Sequence, residues 1–323
     1  MSSIPAAGVL PQSARPPLHP ELQCLLDFYR EQRANPPEAF AHRAGVVPKP
    51  SFFSVAVFQQ LLNNPLLHPD WLEVASRGQK VPLEATYMFK IVQQKRLAFM
   101  DKSIIDEHLR RGAAVVLEGL DILDPQINAF AAGLDAQLPC SLVNAVAFFS
   151  QSNNEAYRGH LDTDDVLVVQ IAGEKRWRIF ARQPSRRTNM YNLPLEQMGR
   201  QLADFVLRPG DAIYLRTCTP HLCDTPGRFS LHLSFDLADR IPPIDQMLVA
   251  GVERYMEACA DSYTPAPAVL DRFAAVLASP AFKAEMVRRT EQRRGEANAF
   301  RSRIGNATRI SALDPLITPS SSK

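Results

Sequence analysis

Apolar positions along the chain follow two periods, and the changeover between them divides it. Over Pro20–Arg33, Leu22, Leu25, Leu26 and Tyr29 recur at helical spacing and predict a helix. A second apolar segment, Phe52–Leu62, follows the proline-punctuated stretches NPPEAF and VVPKP. Residues 104–111 read as helical and lead into a short β-rich run, AAVVLEGL, and Ile127–Leu134 predicts another helix. From Leu142 the texture changes to short β-rich segments bounded by turn residues: LVNAVAFFS, DVLVVQI, KRWRIF, DAIYLR and FSLHLSFDL. Two turns are explicit, AGEK at 172–175 and PGD at 209–211. After Asp239 helical spacing returns, at Leu248, Val252, Tyr255 and Cys259 and again at Val269, Phe273 and Val276. Several short strands at this spacing indicate a sandwich or barrel.

The pattern gives four parts. Residues 1–50 form an arm and a helix, the first twenty holding five of the 26 prolines. Residues 51–139 form an α/β lead-in packing on the barrel, 140–238 the β core, and 239–323 a helical region able to serve as a dimerisation module. With 46% hydrophobic and 22% charged residues the chain can bury a core and is not of disordered composition. Its formal charge of +2 argues against bulk electrostatic binding of nucleic acid. Five cysteines without a CxxC do not make a secreted disulfide framework. No apolar run suits a signal peptide or a membrane helix. A soluble, cytoplasmic protein is the expectation.

The chemistry gathers at Gly159-His160-Leu161-Asp162, just before DVLVVQI. Residues i and i+2 of an extended segment point to one side, so His160 and Asp162 can offer a ring nitrogen and a carboxylate oxygen to one ion. The best third ligand is His221, which follows the turn-plus-strand RPGDAIYLR. Two histidines and a carboxylate on one face of an octahedron leave three positions open, as in non-haem Fe(II) oxygenases. An isolated HxD is common by chance; the ordered succession of strand, HxD, hairpin, PGD, strand and His separates this one from that background.

The stretch LVNAVAFFSQSNNEAYRGHLDTDDVLVVQIAGEKRWRIF resembles the core of the JmjC-type cupins, and within these the ribosomal-oxygenase branch. The matching residues are Asn144, Gly159, His160, Asp162, Asp165, Val166, Gln170, Gly173, Lys175 and Trp177, and the likeness continues through RPGDAIYLRTCTPHLCDT and FSLHLSFDL. It covers about 140–238. The resemblance implies a double-stranded β-helix (jelly roll), with Fe(II) held by His160, Asp162 and His221, 2-oxoglutarate as cosubstrate and O2 as oxidant. Lys175 would pair with the cosubstrate's distal carboxylate, because a dicarboxylate chelating iron at one end needs a cation at the other. The plain alternative is a solvated turn lysine. Asn144 is a hydrogen-bond donor beside the cosubstrate or substrate, or a polar residue closing a strand; Asp164 and Asp165 are candidate contacts to a cationic substrate side chain, or shape the loop, and Arg216 is a further candidate substrate contact. Arg216 and Leu222 depart from the family pattern, which favours small residues at those places. Cys218, His221 and Cys223 also raise a thiolate zinc site, disfavoured because it would compete with the His/Asp set.

The implied activity is hydroxylation of an amino-acid side chain in a protein or peptide. A biosynthetic hydroxylase of small molecules, an N-methyl-lysine demethylase and a non-catalytic cupin sensor are the alternatives. Nucleic acid would enter only indirectly, through a ribonucleoprotein substrate. Residues 283–303 carry seven basic and three acidic residues and read as a solvated helix face, with an acidic partner or RNA as the alternative.

Overall fold

The computed structural model describes residues 18–76, 79–138, 143–152, 159–184, 189–237, 249, 251–254 and 266–304. The proline-rich arm up to residue 17 and most of the 248–259 helical stretch lie outside these. In chain order the elements are α1 (Pro20–Ala34), β1 (Phe40–Arg43), α2 (Val55–Leu62), β2 (Leu72–Ser76), β3 (Gln79–Lys80), β4 (Tyr87–Val92) and β5 (Lys95–Met100). Next come α3 (Lys102–Arg110), β6 (Ala114–Leu117), α4 (Leu120–Leu123), α5 (Pro125–Asp135), β7 (Asn144–Gln151), β8 (Asp165–Gly173) and β9 (Lys175–Phe180). The chain continues with β10 (Gln201–Leu207), β11 (Ala212–Leu215), β12 (His221–Asp224), β13 (Phe229–Leu237), α6 (Ala266–Ala278) and α7 (Pro280–Ile304).

Eight strands form one sheet in the order β1-β11-β8-β13-β7-β6-β2-β3, and β10-β9-β12 form a second of three. The pairings within both are antiparallel. The two sheets face each other as the halves of a double-stranded β-helix. One face of the large sheet packs Val166, Val168, Ile213 and Leu215 against Trp177 and Ile179 of the small one. Its other face turns Leu167, Val169, Leu231, Leu233 and Phe235 toward the helices. Burial on both faces explains why DVLVVQI is an almost unbroken apolar run rather than an alternating one.

The helices that cover the outer face are capped by their own sequence. Proline opens α1 and α5 where its missing N–H costs nothing. Asp124 caps α5 by accepting from the N–H groups of Gln126 and Ile127 at 2.8 and 3.0 Å. The helix α5 then lays Ile127, Phe130, Ala131 and Leu134 into the core, with Phe130 edge-on to Phe235 at 4.8 Å. Full burial of such a side chain contributes about 1.5–3 kcal/mol.

Both expected turns appear, Gly173 and Gly210 having φ of 67° and 95°. Strand β1 was not legible in FAHR; it is recruited by edge pairing to β11, from Phe40 opposite Leu215 to Arg43 opposite Ala212. The hairpin β4–β5 was also missed, its turn made by left-handed Gln93 and Gln94 rather than by glycine. Among the described residues no helix is long and apolar enough to cross a membrane. In α7, Lys283, Arg288 and Arg289 are exposed, and the two arginines share Glu285, as on a solvated helix face.

Candidate metal centre and its cavity

His160 and His221 meet across an isolated antiparallel bridge. The N–H of His160 donates to the carbonyl of His221 at 3.0 Å, and the reverse bond is 2.8 Å. His221 therefore begins a strand, β12, whose pairing with β9 sets it opposite Ile179. Asp162, two residues on from His160 in the extended segment, completes the group. Its Oδ2 lies 3.9 Å from Nε2 of each histidine, and the three donor atoms fall within 4.8 Å of one another. The carbonyl of Thr219, 3.1 Å from His221 Nδ1, holds the proton there and leaves Nε2 as a lone-pair donor. Burial, reinforced by His160, pushes the His221 imidazole down to about 4 despite Asp162. A neutral ring is the form that binds a cation.

These residues open onto a cavity enclosed by the two sheets. Its walls in the middle are apolar: Val146, Phe148, Val166 and Leu215, with Trp177 parallel to the His221 ring at 5.4 Å. At one end Lys175 is only 3% exposed, an unusual burial for lysine. Its ammonium donates to Ser150 Oγ at 2.8 Å and Thr225 Oγ1 at 3.2 Å, and these hydroxyls bond each other at 2.7 Å. Trp177 Nε1 and His232 Nδ1, buried in the same cavity, have no hydrogen-bond partner among the described residues. Burial, then Lys175 and His221, hold His232 well below the ordinary histidine range. A buried ammonium, two hydroxyls and unsatisfied nitrogens fit a carboxylate-bearing ligand, and the two-histidine, one-carboxylate set fits Fe(II).

The opposite end is acidic. The Asn144 amide donates to Glu118 Oε2 at 2.7 Å and reaches Asp236 Oδ2 at 3.5 Å. Glu118, Asp236 and Asp164 all line the cavity. Burial pushes the Asp236 carboxyl up to about 7, with Asp162 and Glu118 adding to the rise and Asn144 opposing it. Glu118 is raised as well, chiefly by burial.

The residues singled out in the sequence thus divide. His160, Asp162, His221, Lys175 and Asp164 share the cavity, and Asn144 stands beside it. Asp165 and Arg216 do not line it, contrary to expectation. Asp165 is consumed at the strand end, where it accepts from the Tyr214 hydroxyl and from the N–H of Thr217 at 2.6 Å, with Arg216 Nε 3.5 Å away. Arg216 in turn donates to the carbonyl of Pro37. Cys218 packs with Leu161, Phe180 and Met198 rather than joining the ligand group, and Cys223 lines the cavity. Glu118, Ser150, Thr225, His232 and Asp236 were missed. The signal for two of them was present: Ser230, His232, Ser234 and Asp236 occupy every second position of an otherwise apolar strand.

The family model of the JmjC domain matches residues 121–244. The bifunctional lysine-specific demethylase and histidyl-hydroxylase NO66 of Drosophila erecta is 34% identical over 102 residues, 30% of this chain and 15% of that protein. Ribosomal oxygenase 2 of Rattus norvegicus is 29% identical over 96 residues, 29% of this chain and 21% of that protein. The chain spans between 13% and 21% of the length of such relatives. Among solved structures, the ribosomal oxygenase YcfD of Escherichia coli, in complex with cobalt and succinic acid, superposes with a TM-score of 0.51 at 14% identity. That match covers 85% of this chain and 70% of YcfD, and establishes the fold.

Proposed function

We propose, taking residues 121–244 as a JmjC domain, that the chain is an Fe(II)- and 2-oxoglutarate-dependent oxygenase hydroxylating an amino-acid side chain of a protein or peptide. The observation that carries this reading is the His160–Asp162–His221 group placed in one cavity with a buried lysine. Nε2 of each histidine and a carboxylate oxygen of Asp162 would hold the iron. When bound there, iron with 2-oxoglutarate and O2 supplies an oxidant able to convert C–H to C–OH, releasing succinate and CO2.

The protein's own residues do the rest. Thr219 fixes the His221 tautomer, and the main-chain bridge fixes the spacing of the two rings. Lys175, with Ser150 and Thr225, holds the distal carboxylate of 2-oxoglutarate. Val146, Phe148, Val166 and Leu215 keep the middle of the cavity dry. Asn144 orients Glu118 and Asp236, and Asp164 faces the incoming substrate.

The thiols of Cys24 and Cys218, which stand outside any disulfide, suit the reducing cytoplasm. Two copies pair through the C-terminal helices, where Leu270 of α6 and Val287 of α7 are exposed. Nucleic acid enters only as part of a ribonucleoprotein substrate. The NO66 relatives, named as both lysine-specific demethylase and histidyl-hydroxylase, favour one second reading, removal of a lysine N-methyl group by the same metal chemistry.

The test is incubation with cell lysate or candidate peptides, Fe(II), ascorbate and 2-oxoglutarate. Hydroxylation gives products heavier by about 16 Da with one succinate each, and demethylation gives a loss of about 14 Da. Full activity of Asp162→Ala with iron still bound would sink the assignment.

A further inference from the structure

Asp165 follows the ligand Asp162 by three residues, yet its carboxylate is spent outside the cavity. Its Oδ1 accepts from the N–H of Thr217 at 2.6 Å and its Oδ2 from the hydroxyl of Tyr214. Arg216 Nε, 3.5 Å from Oδ1, supplies the counter-charge. All three partners lie at the end of β11 or on the loop 216–220, which leads from β11 to the ligand His221.

That loop grips the metal centre from two sides. The N–H of Cys218 donates to the carbonyl of Asp162 itself at 2.7 Å, and Thr217 Oγ1 donates to the next carbonyl, that of Thr163, at 2.6 Å. Farther along, the carbonyl of Thr219 takes the proton of His221 Nδ1. The carbonyl of Ala39 pins the loop twice, accepting from the N–H of Arg216 at 2.8 Å and from Thr219 Oγ1 at 3.1 Å. Between these points Cys218 has a left-handed backbone, φ 59°, although it is not glycine, and its side chain is fully buried with Leu161, Phe180 and Met198. Such a conformation costs free energy and persists only where the surroundings impose it. Here the turn sends the Cys218 N–H to Asp162 and its carbonyl to the N–H of Gln183, 2.8 Å away.

We infer that Asp165 is a positioning residue, which through Thr217 and Cys218 sets the main chain carrying the Asp162 carboxylate and so fixes the third donor of the metal centre. This rests on the oxygenase reading and adds how its ligand set is held. The bridge to His221 fixes His160, and the bridge to Met190 fixes Leu161; past Leu161 both pairings end. From there Thr217 and Cys218 hold one flank of the segment, and Asn189 Oδ1, accepting from the N–H of Thr163 at 2.8 Å, holds the other. A ligand set binds tightly only when its donors keep to within about 0.5 Å of the required geometry, so a loosened Asp162 costs metal affinity. A carboxylate that only stabilised the strand end would lower the melting temperature and leave metal affinity unchanged.

The test is calorimetric titration of the full chain with Mn(II), without O2, for the parent, Asp165→Ala, Asp165→Asn and Thr217→Val, with the absorption spectrum of bound Co(II) as a second readout. Asparagine keeps an acceptor for the Thr217 N–H, and its amide can donate to the Tyr214 oxygen, so Asp165→Asn preserves the clip without the charge. Asp165→Ala is expected to weaken Mn(II) binding by about 10- to 100-fold and to move the Co(II) spectrum to that of Asp162→Ala. Asp165→Asn is expected to bind Mn(II) as the parent does and to keep the parent's spectrum. Parental Mn(II) affinity in Asp165→Ala overturns the inference, whatever its melting temperature. An equal loss in Asp165→Asn and Asp165→Ala also overturns it, because the charge itself would then be what attracts the metal. Should Asp165→Ala fail to melt cooperatively, Thr217→Val decides: it removes only the bond to Thr163, weakened Mn(II) binding upholds the inference and unchanged binding overturns it. Failure of the unaltered chain to bind Mn(II), or parental binding by Asp162→Ala, instead overturns the oxygenase reading beneath.

Discussion

His160 and His221 hold each other by their main chains, each N–H donating to the other's carbonyl at 3.0 and 2.8 Å. Spacing of the two rings is therefore a property of backbone pairing and survives loss of either imidazole. His221→Ala should keep its melting temperature in metal-free buffer within a few degrees of the parent. The parent should gain about 2.7 kcal/mol of stability from Mn(II) at one hundred times Kd, and His221→Ala almost nothing. Thermal unfolding with and without Mn(II) checks both.

In the proposed function Lys175 binds the distal carboxylate of 2-oxoglutarate, at the end of the cavity opposite Glu118 and Asp236. A charge-assisted hydrogen bond contributes ~1.5–3 kcal/mol, so Lys175→Met should raise KM for 2-oxoglutarate by about 10- to 100-fold. The loss should fall on KM much more than on kcat, because the reacting carbon is held by other groups. Steady-state succinate release against 2-oxoglutarate concentration reads the split.

Asp236 gives the metal-free protein a pH signature. Its carboxyl is pushed up to about 7 by burial and neighbouring acids, whereas an unfolded aspartate titrates near ~3.9. Between those values the native state holds a proton that the unfolded state has released, so this group's contribution to stability is lost as pH rises through about 7. Asp236→Asn should match the parent near pH 4 and exceed it at pH 8 by about 1 kcal/mol or more, ~2–4 °C. Melting curves of both proteins across this range measure it.

The N-terminal segment is fastened to the barrel at a glycine. Gly210 has φ of 95°, and a Cβ there would stand 1.9 Å from the carbonyl oxygen of Val47, whose N–H donates to Gly210 O at 3.0 Å. Asp211 Oδ1 accepts from the N–H of Gly45 beside it. Gly210→Ala should destabilise the chain by about 2 kcal/mol or more, seen as a fall in the urea midpoint.

The reason some of this was legible lies in periodicity. DVLVVQI and FSLHLSFDL declare themselves because both faces of the large sheet are buried, and HxD places two ligands by local geometry alone. HLCD was not read as a strand because a four-residue run carries no period; only its pairing with β9 makes β12. Asp165 and Arg216 lie away from the cavity for a related reason. They neighbour cavity residues in sequence, but the strand end needs a carboxylate to satisfy the Thr217 N–H and the Tyr214 hydroxyl. Glu118 directly follows the buried strand β6 far upstream, and its place in the cavity comes from sheet order β7-β6, a non-local fact.

The most direct test of the central claim is iron-edge anomalous diffraction from crystals grown anaerobically with Fe(II) and 2-oxoglutarate. One peak is predicted, about 2.0–2.2 Å from Nε2 of His160, Nε2 of His221 and a carboxylate oxygen of Asp162, with the cosubstrate's far carboxylate on Lys175. A peak bound instead by Cys218 or Cys223, or a 2-oxoglutarate molecule away from Lys175, would contradict the account.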